Sequence, residues 1–199
     1  LSLRSVARKA GIAPTSFYRH FREIDEMGVE MAVQGEKILN EWLVRARGKM
    51  TFPAVKKSGS QALLLKSIEC VTRPFAETLM GCLKKNSKLL HLFFQEATGS
   101  SEVMRNTISK AIYRMTDRLA EDLTQIGKNS GYDFGDIGLI AETMVSIVRD
   151  SGMRMLTDPQ AKYAELMGRT IAKLNLFFMG SLIKEGAAGP STQGDTHDR

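Results

Sequence analysis

The chain has 199 residues, 43% of them apolar and 25% charged, which is the composition of a soluble globular protein. No apolar run approaches the roughly 20 residues needed to cross a bilayer, so a membrane-spanning protein is excluded and no membrane partner is expected. The two cysteines, Cys70 and Cys82, form no CxxC pair and no metal-ligand set, which leaves a reducing cytoplasm as the simplest compartment. Formal net charge is +6, from 28 basic and 22 acidic side chains, and the excess is local. Arg4, Arg8, Lys9, Arg19 and Arg22 fall in the first 22 residues, where there is no carboxylate; the first is Glu23. A basic patch on one small element points to a polyanion partner, although on charge alone a solvated helix face remains open.

The first element is a short helix. Ser2 is a good N-cap for it, and Leu3, Val6, Ala7 and Ala10 keep helical spacing. Gly11 suits the left-handed residue that ends a helix, and Pro14 suits the first turn of the next. The second helix is expected to turn Phe17 and Phe21 inward. Ala7 is small where the two helices would cross, and Ile12 and Phe17 would fill the angle between them. Two short helices around a Gly-containing turn make a helix-turn-helix unit.

"VARKAGIAPTSFYRHF" resembles the second and third helices of the TetR-type bacterial transcriptional repressors, and "REIDEMGVEMAV" resembles the start of their fourth. The resemblance is closest to the repressors of unsaturated fatty-acid synthesis (FabR- and DesT-like), with "FFQEATGSSEVMRNTI" as a second matching block. It implies an all-α fold whose first helix is missing from this chain. It also implies residues 1–30 as DNA-binding domain, 31–186 as regulatory and dimerisation domain, and 187–199 as a flexible tail.

A recognition helix presents its leading turn to base edges in the major groove. Pro14, Thr15 and Ser16 lie at that end. Tyr18, Arg19, His20 and Arg22 are placed for phosphates, with a guanine edge as the alternative for Arg19. Ser2 and the N–H groups behind it, with Arg4 nearby, offer a further phosphate contact. For Tyr18 and His20, packing inside the unit is the other reading. One unit makes few contacts, so a two-fold dimer on a palindromic double-stranded operator is expected, with steep salt dependence.

Further along, helices are expected over 24–49, 60–83, 87–97, 101–126, 137–156 and 161–184, with Asp136 as an N-cap after the loop "GKNSGYDFGD". No strand-like alternation occurs. Tyr163, Leu166, Met167, Thr170, Ile171, Leu174, Phe177 and Phe178 form one helical stripe, and Ile137, Ile140, Met144, Ile147 and Val148 form another. Small residues (Gly138, Ala141, Gly168, Ala172) would let helices approach closely. The expectation is a four-helix homodimer bundle through the last two helices; intramolecular core is the alternative.

The middle helices are rich in Met and Phe, which adapt to irregular shapes. Phe75, Phe93, Phe94, Met104, Ile108, Met115 and Met144 are candidate lining for an apolar effector pocket, against the plainer reading as core. Glu96 and Arg105 are polar candidates nearby, with solvent exposure as their alternative. The resemblance implies a long-chain acyl thioester (acyl-CoA or acyl-ACP) as effector, sensed by its saturation. A drug or another hydrophobic small molecule is the alternative. No cofactor or metal is expected. The only histidines are His20, His91 and His197, and no paired-carboxylate motif, phosphate loop or nucleophile elbow appears, so enzyme chemistry is not expected. The expected role is a cytoplasmic, nucleoid-associated repressor.

Overall fold

Helix starts follow local chemistry. Ser2, Ser101 and Asp136 each place a side-chain oxygen on the backbone N–H three residues ahead, at 3.3, 3.3 and 2.9 Å, satisfying a donor that the helix itself leaves open. The computed structural model describes residues 2–53, 61–158 and 162–186, with side chains through Ser181. Among the described residues the chain is all helical: α1 (Leu3–Lys9), α2 (Pro14–Phe17), α3 (Ile24–Arg47), α4 (Gln61–Lys85), α5 (Ser87–Glu96), α6 (Glu102–Ser130), α7 (Ile137–Thr157) and α8 (Tyr163–Gly186). The tail expected over 187–199 lies outside the described residues, as does most of the loop before α4.

α3 and α4 meet around Trp42. Its indole is buried 5.1 Å from the ring of Phe75, and its Nε1 donates to Thr78 Oγ1 at 3.0 Å. Thr78 in turn donates to the carbonyl of Pro74 at 2.6 Å. Pro74 stands inside α4 without an N–H, so the carbonyl of Cys70 loses its helical donor. The backbone N–H of Thr51 supplies one instead, at 3.2 Å, and so fastens the chain leaving α3 to the side of α4.

α3 and α6 run side by side in the same direction. Near the start of α3, the place where a Cβ on Gly28 would stand is filled by Met104 Sδ. Farther along, Glu36 takes a two-pronged bond from Arg114 at 2.8 and 2.7 Å, and near the end Arg47 pairs with the buried Asp122 at 2.9 Å. Gly35 opens the same face of α3 to α5: a Cβ there would lie 2.5 Å from Phe93 Cδ2.

Two expectations are corrected. The segment "GKNS", read as loop, is the last turn of α6, which ends at the left-handed Gly131. Gly127 stays helical because the returning chain crosses it: a Cβ there would meet the Tyr132 carbonyl at 2.7 Å, and Phe134 is buried beyond. Most of the two stripes assigned to a dimer surface fills this chain's own core instead, while Tyr163 is exposed and Ile137, Ile147 and Phe177 are half-buried. Leu166, Met167, Thr170, Ile171, Leu174 and Phe178 are buried, as are Ile140, Ala141, Met144 and Val148, and α8 packs on α4 and α7. Helical periodicity reveals an apolar face but not whose apolar face lies opposite. On the outward side of these helices stand Leu139, Leu176, Gly138, Gly168, Ala172 and Gly180.

Thr78→Val is expected to strand the buried indole N–H, destabilising the fold by about 1–3 kcal/mol in urea titrations followed by Trp42 fluorescence. The two acids at the α3–α6 seam give opposite pH signatures. Hydrogen bonding and charge from Arg114 hold Glu36 below its ordinary 4.5, so its contribution is complete above that value and is lost as pH falls through the lower folded value. Burial pushes Asp122 above its ordinary 3.8, outweighing Arg47, so its contribution is complete below 3.8 and is lost as pH rises through the higher folded value. Glu36→Gln should flatten the acid side of a stability–pH curve, and Asp122→Asn should remove the opposing slope.

Candidate nucleic-acid interface and interior cavity

α1 opens with a reciprocal cap. Ser2 Oγ accepts from the Ser5 N–H at 3.3 Å, while Ser5 Oγ accepts from the Ser2 N–H at 3.2 Å. No acid occupies its first turn. Leu3 and Ala7 are buried, and α1 packs chiefly on α2. Gly11 turns the chain at φ +70°, a conformation that costs an L-side chain roughly 1–2 kcal/mol. The Ile12 N–H then closes on the Ala7 carbonyl at 2.9 Å, and Pro14 starts α2.

The second helix is shorter than expected. After Phe17 the N–H groups of Arg19 and His20 bond three residues back, to Ser16 and Phe17, and this tighter turn ends α2. Phe17 and Phe21 stack at 5.6 Å but are only half-buried, and Ile12, expected to plug the angle, is exposed. The turn is closed on the far side by Glu26, whose carboxylate accepts from the Arg22 N–H at 2.6 Å.

Ser2, Arg4, Pro14, Thr15, Ser16, Tyr18, Arg19, His20 and Arg22 are all exposed. They lie on the start of α1, on α2 and in the turn after it. Tyr18 and His20 are therefore not packing residues within the described unit. Hydroxyls, an imidazole, a phenol and guanidinium groups are thus exposed on the surface of residues 2–22, which contribute no carboxylate. Such a surface donates hydrogen bonds and attracts anions.

The seven candidate pocket residues separate. Phe75, Phe93, Ile108 and Met144 are closed core, and Met104 fills the notch at Gly28. Phe94 and Met115 do border an interior cavity, together with Leu39, Trp42, Leu79, Ile112, Val145, Val148 and Arg149. That cavity is about 10 Å³, room for one water at most, rather than an open tunnel. Arg105 is half-buried and does not line the cavity. It donates to the carbonyls of Gly99 and Ser100 at 2.7 and 2.8 Å, stapling the loop between α5 and α6. Trp42 and Arg149 were not singled out from the sequence; Trp42, the chain's single tryptophan, was the available signal.

Over 182 residues the chain is 31% identical to an uncharacterized HTH-type transcriptional regulator of Haemophilus influenzae, a match covering 91% of this chain and 80% of that protein. The chain belongs to the HTH-type transcriptional regulators. No family model matches it. Among the described residues one short helix pair joined by a tight turn, α1 and α2, leads into the start of α3. Gly11→Ala is expected to loosen it by about 1 kcal/mol. Amide exchange should quicken in α1 and α2 while α3 to α8 stay unchanged.

Proposed function

We propose that this HTH-type regulator is a TetR-like repressor that grips a palindromic double-stranded DNA operator as a two-fold dimer. The observation that carries the reading is the exposed helix pair free of carboxylates, set on the end of a long core helix. Thr15 and Ser16 meet base edges from the leading end of α2. Arg4, Tyr18, Arg19, His20 and Arg22, with the capped start of α1, hold phosphates.

The second copy docks on the outward side of α7 and α8. Leu139 and Leu176 are 53% and 75% exposed there, beside the small Gly168, Ala172 and Gly180. A groove of about 510 Å³ between the start of α7 and the end of α8 lies next to both leucines. Large apolar side chains beside small ones suit close packing of helix on helix.

The effector of this reading is a long-chain acyl thioester, acyl-CoA or acyl-ACP, and the regulated genes are those of unsaturated fatty-acid synthesis. What supports an apolar effector is the cavity wall: Leu39 and Trp42 belong to α3, the helix that carries the DNA-facing unit. A ligand that enlarges the cavity must press on α3, and only such differential contact shifts a two-state protein. The small resting volume favours a compact drug-like or other hydrophobic ligand as the second reading. Native mass spectrometry separates the two by the mass of the co-purified species.

Operator affinity, measured by fluorescence anisotropy, should fall on the order of 10³–10⁵ between 50 and 200 mM salt for roughly 6–10 neutralised phosphates. Arg19→Glu with Arg22→Glu should abolish binding; retained binding would remove the DNA-facing assignment. Leu176→Asp should convert dimer to monomer in light scattering.

A further inference from the structure

An open groove of about 460 Å³ runs between α6 and α7. Three of its lining residues, Ile112, Val145 and Arg149, also line the interior cavity beside Trp42. The floor of the groove is thus the roof of the cavity.

Arg149 is exposed and makes no hydrogen bond or ion pair with any described residue. Its neighbour Asp150 is taken by Lys173 at 3.3 Å. The other charges in the groove are Glu142 and Asp117. Glu142 lies seven residues before Arg149 on α7, about 10 Å along the helix. α6 and α7 run antiparallel with Ile112 level with Val145 and Arg149, so Asp117, five residues farther along α6, falls toward the Glu142 end. The groove therefore has an acidic end and a basic end, and the cavity lies beneath the basic one.

An anionic group is drawn to the Arg149 end and repelled from the other, whereas a cation is drawn away from the cavity. We infer that this groove is the entrance to the effector site and that Arg149 holds the anionic head of an amphipathic ligand. Its slim apolar tail passes Ile112 and Val145 toward Trp42. The inference rests on the effector reading above and adds to it the route and the head group. Room for the tail comes from Met115 and Leu79, whose flexible side chains can repack.

Trp42 reports the tail directly, because it is the chain's single tryptophan and bromine quenches indole at contact. Three probes of equal length are titrated into the full chain: 12-bromododecanoate, 12-bromododecanol and 12-bromododecyl-trimethylammonium. The carboxylate should quench Trp42 with the lowest Kd. Arg149→Gln should raise that Kd at least tenfold and change the alcohol's less than twofold. Arg154→Gln, an exposed arginine of the same helix outside the groove, should leave both unchanged. Equal carboxylate binding in Arg149→Gln, or an alcohol or ammonium probe that quenches the wild type as tightly, overturns the inference and leaves the apolar-effector reading standing. No quenching by any probe overturns both.

Discussion

The bond from the Trp42 indole to Thr78 is the constraint on which the rest of the arrangement depends. Trp42 lies in the second half of α3, the helix whose first turn follows the bihelical unit of α1 and α2 directly. Burying a ring of that size removes on the order of 200 Å² from water, worth about 5 kcal/mol. That driving force draws α3 and α4 together, but it does not say where along α4 the ring comes to rest. The hydrogen bond does. It fixes the register of α3 against α4, and α6, bonded to α3 through Glu36 and Asp122, inherits it. The same indole is also a wall of the interior cavity. One side chain therefore takes part in holding α3 in place and in bounding the space a ligand would have to enlarge.

Much of the fold was legible because its signals are local. Ser2, Gly11, Pro14, Ser101 and Asp136 each act within three or four residues, and the helix boundaries they announce are where the structure has them, to within a residue or two. These two misreadings arise where the deciding neighbour lies outside the segment being read. Gly127, Asn129 and Ser130 have the composition of a loop, yet stay helical under the returning Tyr132 and Phe134. The stripe from Leu166 to Phe178 has the periodicity of an interface, but α4 was already opposite it.

The candidate site divides the same way. The helix pair itself was readable from caps and turn residues, because Ser2, Gly11 and Pro14 act within their own short segment. The cavity was not. Its wall is assembled from α3, α4, α5, α6 and α7, one to three residues from each, and no spacing within one helix records that Leu39, Phe94 and Val145 converge. Met and Phe enrichment pointed to the right helices but mostly to residues that fill the core.

The Pro74 gap in α4 has a mechanical consequence. With Thr51 bonded into it, Phe52 wedged 5.0 Å from Phe134, and Arg47 paired to Asp122, the far end of α3 is pinned by three independent attachments. The near end, where the bihelical unit begins, packs on Met104 at Gly28, and among the described residues it makes no hydrogen bond or ion pair to α6 before Glu36. A 24-residue helix is about 36 Å long, so a tilt of about 5° about the pinned end swings the other by about 3 Å. A proline that interrupts one helix thus supplies the fulcrum on which another can act as a lever.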